Sequence, residues 1–199
     1  MKQAAVGFRV HSGWSALVTV SLENDVARVL SRERVYLVEK FLYKFRQPYH
    51  TAERMSLEKA RAFVEESLVE AKRLACSALR STQEELGNKG YELAKGGLLL
   101  ASGKALPGLE NVLRSHALIH TADGEHFREA LRQACADCGV EMASFREREL
   151  PERGVKTLRM RRDRLLRRLT ELGAGLGSPW TQDEKYAALA AWLVLAERA

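Results

Sequence analysis

Histidine and carboxylate side chains crowd into the stretch SHALIHTADGEHFRE, Ser115 to Glu129. His116 and His120 stand at i and i+4, one helical turn apart, so both rings can face one ligand. Asp123 follows three residues later, and Glu125 and His126 lie just past Gly124. Two uses of the pair are open: joint binding of a transition metal, or a polar network that caps and hydrogen-bonds. A second chemical position is His11, at the crease of GFRVHSGWSALVTV (Gly7 to Val20), and a third is the TQDEK segment, where Asp183, Glu184 and Lys185 precede an apolar run. If the 115–129 helix crosses beneath the crease, His11, His120, Glu125 and Asp183 converge. Their mixed imidazole and carboxylate donors would suit Mn²⁺ or Zn²⁺ better than an all-oxygen magnesium cluster.

Thr181 to Glu184 also spells a capping box, since a Thr at the N-cap and a Glu three residues on satisfy each other's exposed backbone donors. That assigns Glu184 to the helix end and leaves Asp183 freer to face the sheet edge, with Lys185 beside it to meet a phosphate. Trp180 and Trp192 are assigned to packing. Cys135 and Cys138 form an isolated CxxC in the amphipathic stretch EALRQACADCG, which reads as helical neighbours ahead of redox or zinc chemistry.

The chain has 199 residues and a formal charge of +6. That length suits one domain with a core large enough to fold without disulfides or metals. The positive charge is concentrated: residues 153–168 hold eight Lys and Arg against Asp163 alone. Such a run is either a solvated helix face or a nucleic-acid contact, in which Arg159, Arg161, Arg164 and Arg168 would hold phosphates. The interleaved Tyr43, Lys44, Phe45, Arg46, Tyr49 and His50 could likewise stack bases, or simply pin their own loop. Three cysteines, an odd number, and a start MKQAAVGF with no secretory pattern lead us to expect a cytoplasmic protein. No apolar run reaches the roughly 20 residues of a membrane span.

Changes in hydrophobic period place these groups on elements. Val6 to Val10 and Trp14 to Leu22 are rich in β-branched and aromatic residues, and with a third run from Val26 to Val38 after the turn Glu23-Asn24-Asp25 they read as three strands of an antiparallel meander. Glu39 to Met55 is expected as a long surface loop. A helix should run from about Ser56 to Gly87, with Leu57, Ala60, Val64, Leu68, Ala71 and Ala75 on its buried stripe. Then follow a strand from Tyr91 to Ser102, a helical region over Leu109 to Cys138 with Gly124 as its candidate break, and a strand from Val140 to Phe145. Helices from about Gly154 to Leu172 and Gln182 to Arg198 close the chain. Helical crossovers between the later strands require those strands to be parallel.

This order of elements resembles the ribonuclease H-like superfamily over nearly the whole chain, in the layout of the resolvases and the pre-ribosomal-RNA processing nucleases. GFRVHSGWSALVTV has the cadence of that family's first hairpin, and DEKYAALAAWLVLA resembles its last helix. The resemblance implies an α/β fold with a five-stranded mixed sheet, an antiparallel meander followed by parallel strands, and helices on both faces. It also implies a cluster of acids holding Mg²⁺ or Mn²⁺ for phosphodiester cleavage. Carried onto this chain, the first acidic position falls at Arg9, with His11 on the same face. The second falls near Ser102, and the last-helix position at Asp183 and Glu184. Two functions follow. One is a divergent metal-dependent phosphodiesterase acting through His11, Glu125 and Asp183, with His120 and Asp183 as metal ligands. The other is a nucleic-acid-binding or scaffold protein that has lost the catalytic carboxylates. An actin-like nucleotide site is disfavoured, because His11-Ser12-Gly13 lacks a glycine-rich phosphate loop.

Overall fold

A computed structural model describes residues 1–101 and 105–197. Three opening strands, β1 (Lys2–His11), β2 (Trp14–Glu23) and β3 (Val26–Tyr36), form the antiparallel meander. The first turn is made by Ser12 and Gly13, and Gly13 adopts φ 82°, a left-handed conformation that a side chain would oppose. β4 (Tyr91–Leu100) and β5 (Glu141–Arg146) add in parallel on the other side of β1. The sheet order is β3-β2-β1-β4-β5, the mixed five-stranded arrangement anticipated from the alternation of elements. Ser102, where the resemblance places a second acid, and Arg198, the expected helix end, lie outside the described residues.

Helices cover both faces. On one face α3 (Leu57–Asn88) and α5 (His116–Asp137) pack on Val6, Phe8 and Val10 of β1 through Ala71, Ala75, Leu79, Phe127 and Leu131. On the other, α6 (Leu150–Thr157), α7 (Arg162–Glu171) and α8 (Gln182–Ala196) cover Ala5, Val18, Val20 and Leu99. No helix among the described residues is long and apolar enough to cross a membrane.

Three boundaries differ from expectation. The 39–55 connection contains two short helices, α1 (Tyr43–Arg46) and α2 (Pro48–Ala52), because Pro48 opens a turn whose Ala52 is buried against Ala60 and Val64 of α3. The 109–138 region divides into α4 (Leu109–Leu113) and α5 at Arg114 and Ser115, whereas Gly124 lies within α5. The single helix expected over 154–172 is two, parted at Arg159, which takes φ 50° and turns the chain.

Candidate functional site

Residues of β1 alternate between the two faces, so Ala5, Gly7, Arg9 and His11 share the side occupied by α8. Helix α8 sits almost on the backbone there. A Cβ at Gly7 would lie 1.8 Å from the Ala187 carbonyl oxygen, so glycine is what allows this approach. The first turn of α8 is thereby brought against the carboxyl end of β1. The capping box forms: Glu184 accepts from the Thr181 backbone N–H and hydroxyl, both at 2.7 Å, and Asp183 N–H donates to Thr181 Oγ1 at 3.2 Å. Glu184 is thus spent on the helix end, and the side chain of Asp183 reaches the sheet.

Asp183 meets two β1 residues. Arg9 donates to its carboxylate from Nη1, and His11 donates from Nε2 at 2.9 Å. Arg9 also grips Glu147 with one edge of its guanidinium, Nη2 at 2.6 Å and Nε at 3.2 Å. Glu147 opens the short 3-10 turn directly after β5, so its carboxylate comes from the far side of the sheet. The side chains of Arg9, Asp183 and Glu147 are 18%, 19% and 33% exposed. Burial works against the Arg9 charge, but Glu147 and then Asp183 outweigh it and hold the guanidinium above its ordinary value.

An aromatic step adjoins this cluster. The His11 ring stacks on Trp14 across the hairpin, with centroids 4.3 Å apart and planes 11° apart, and the Arg34 guanidinium lies 3.9 Å from the Trp14 ring centroid. Beyond it Tyr36 and Phe41 meet edge to face, Arg46 covers Phe41, and Tyr43 is 60% exposed. Aromatic and cationic side chains therefore alternate along the sheet end and the α1 segment.

The remaining sequence candidates lie elsewhere. Glu125 does not join His11 and Asp183, because Arg128 and Arg132 engage it at 3.0 and 3.1 Å and hold it on α5. His120 does not join Asp183 either; its Nε2 is 3.1 Å from Nε2 of His116, and the His50 ring is 4.4 Å away. Lys185 is half-buried in the first turn of α8.

The basic run is at the opposite end of the strands. Arg168 donates to the Ala27 carbonyl at 3.4 Å, and Ala27 pairs with Leu22, whereas His11 pairs with Trp14. From Leu22 to Trp14 the strand covers roughly 26 Å at about 3.3 Å per residue. Acids from neighbouring turns also temper its charge: Arg153 pairs with Glu197, Arg162 with Glu152 and Arg168 with Glu171, while Arg161 and Arg167 share Asp163. Arg159 stands exposed in the link before α7, and Arg164 is exposed on α7 itself.

The magnesium cluster implied by the resemblance does not fit this donor set. Two carboxylates are present, but a permanent guanidinium is bonded to both, and the third neighbour is an imidazole. Sequence reasoning missed Glu147, because its proximity to Arg9 depends on β5 joining the sheet beside β4. It also missed the pairing of Arg34 with Trp14, which requires the register of β2 and β3. The short Glu23-Asn24-Asp25 turn was the signal that could have set the β2–β3 register and placed Trp14 and Arg34 on one face.

No protein-family model and no curated protein matches the chain. Solved structures do. Thermus thermophilus RuvC in complex with a Holliday junction substrate superposes with a TM-score of 0.55 at 12% identity, covering 97% of this chain and 93% of that one. Thermus thermophilus RuvC in a second structure gives 0.52 at 11% identity over the same shares. With the strand order and the helices on both faces, this likeness establishes that the chain has a ribonuclease H-like fold.

Proposed function

We propose that this protein binds nucleic acid at the carboxyl edge of its sheet and does so without two-metal cleavage. The observation that carries this is the bonding of Arg9 to both Asp183 and Glu147 at the strand position where the fold's enzymes need an acid. A guanidinium stays protonated throughout the physiological range, so it offsets one of the two carboxylate charges and occupies oxygens that would otherwise draw a divalent ion. Beside it, His11 and Arg34 already cover the Trp14 ring while Tyr43 of α1 is 60% exposed, so the sheet end combines a fixed cation with an open ring, the pairing used to stack a base and hold its phosphate. The likeness to RuvC in complex with a Holliday junction substrate supports the same substrate class. Arg159, Arg161, Arg164 and Arg168 would supply a second, sequence-independent contact with a longer duplex.

The test is fluorescence anisotropy with labelled single-stranded, duplex and four-way branched DNA and the corresponding RNAs, at graded salt, with and without Mg²⁺ or Mn²⁺. Salt-sensitive, saturable binding with intact nucleic acid is expected, weakened at least fivefold in the Trp14→Ala, Arg34→Ala double variant. Absence of binding at low salt would overturn the proposal. Cleavage that disappears in Asp183→Asn would instead establish the metal-dependent phosphodiesterase, with His11 and Asp183 as its residues.

A further inference from the structure

Three histidines from separate parts of the sequence meet between α2 and α5. His50 comes from α2, and His116 and His120 from the first two turns of α5. One ring nitrogen from each lies within 4.8 Å of the others, and these three are the group with metal-ligand spacing among the described residues. The ring centroids are 4.4 Å apart for His50 and His120, 4.6 Å for His116 and His120, and 5.4 Å for His50 and His116.

The second contact of His50 gives the cluster its direction. Nδ1 of His50 donates to the carboxylate of Asp123, whose other oxygen accepts the Tyr49 backbone N–H at 2.7 Å. Both side chains are enclosed, His50 at 9% and Asp123 at 5% exposed. With its proton held on Nδ1, the ring keeps its lone pair on Nε2. A carboxylate behind a ligating imidazole is the support that metal-binding histidines usually have, because it sets the tautomer and raises ligand basicity. His116, His120 and Asp123 lie at i, i+4 and i+7, one stripe of α5, so a single helix face supplies two rings and the carboxylate that aims the third.

The spacing also suits a small ion. Metal–nitrogen bonds of about 2.0–2.1 Å in a tetrahedral site separate the nitrogens by roughly 3.3 Å. Nε2 of His116 and Nε2 of His120 are 3.1 Å apart. His116 and His120 are exposed, so a fourth position would open to water.

We infer that His50, His116 and His120 form a binding site for one transition-metal ion of the Zn²⁺ class, oriented by Asp123 and left with one exchangeable position. Three neutral imidazoles select such ions over Mg²⁺ or Ca²⁺, which need oxygen donors. This site stands whether or not the chain binds nucleic acid. It gathers His120 with ligands other than Asp183, and it ties α2, and with it the aromatic α1 segment, to α5.

The test uses the full chain stripped with a chelator, then titrated with Zn²⁺ by calorimetry and with Co²⁺ by visible absorption. One ion per chain is expected, with the strong d–d bands of four-coordinate Co²⁺ and a rise in melting temperature of several degrees. His116→Ala and His120→Ala, both at exposed positions that tolerate truncation, should each weaken binding at least tenfold. Asp123→Asn should weaken it by about 10–100-fold, with circular dichroism confirming that this buried variant is folded. Cys76, Cys135 and Cys138 are free thiols, the first on α3 and the others at the end of α5. A thiolate charge-transfer band with unchanged affinity in both histidine variants would overturn the inference, as would the absence of saturable binding.

Discussion

The guanidinium of Arg9 donates to the carboxylate of Asp183, joining the first strand to the first turn of the last helix. Glu147 closes the same guanidinium from the end of β5, so three elements far apart in sequence share one cation. Arginine suits this position because its planar fork serves two carboxylates at once and cannot lose its charge.

Arg9→Ala should leave two neighbouring carboxylates without their cation. The cluster is partly solvated, so the loss is expected at about 1–3 kcal/mol, below that of a fully buried pair. Arg9→Asp should go further and produce a cluster that responds to metal. Its melting temperature is expected to rise with millimolar Mn²⁺ while that of the native chain does not respond through this site; the comparison should use His116→Ala backgrounds to silence the histidine cluster. Equal responses in the two backgrounds would show that Asp183 and Glu147 are too far apart to share an ion.

Arg161→Glu combined with Arg164→Glu should lower nucleic-acid affinity less than Trp14→Ala with Arg34→Ala, and by the same factor for every sequence, because phosphate contacts carry no base information. Competition binding at two salt concentrations distinguishes the surfaces. If the α7 reversal abolishes binding and the hairpin variants bind normally, the interface belongs to α7.

Gly7→Ala would drive a methyl group into the Ala187 carbonyl, and the whole of α8 would have to move. A loss of about 3 kcal/mol or more is expected, since backbone cannot step aside as a flexible side chain can. Chemical denaturation measures it. A near-native midpoint would mean that α8 is less tightly seated than the approach of Ala187 to Gly7 indicates.

His126 should make the fold sensitive to acid. It is buried between Tyr49 and Phe127, with Ser67 Oγ 3.1 Å from its Nε2, and burial lowers its pKa from 6.5 to about 4. The unfolded chain therefore binds a proton between about pH 6.5 and 4 that the folded chain refuses. Stability from this residue is complete above pH 6.5 and falls as pH drops through that window, by as much as about 3 kcal/mol at its lower end. His126→Gln, which can keep a bond to Ser67, should flatten that part of the stability profile. An unchanged slope in urea titrations from pH 7 to pH 4 would assign the acid sensitivity to other groups.

Period and punctuation in the sequence determined the order of strands and helices, and with it the antiparallel meander and the parallel additions. Those are local properties: Val6, Phe8 and Val10 alternate because a strand does, and Ala60, Val64, Ala71 and Ala75 recur because a helix does. The capping box was legible for the same reason, since Thr181 and Glu184 are three residues apart. The proximity of His11 to Asp183 could be anticipated from the fold resemblance. The partners of Arg9 and of His50 could not, because a side chain reaches whichever neighbour the packing delivers, whereas Arg128 and Arg132 share one helix face with Glu125 by spacing alone. Glu147 reaches Arg9 only after β5 pairs with β4, and Asp123 meets His50 only because Pro48 and Ala52 fold α2 against α3 and α5. The residues available for chemistry were thus written in the sequence, whereas their grouping into an arginine-bridged cluster and a histidine cluster was decided by long-range packing.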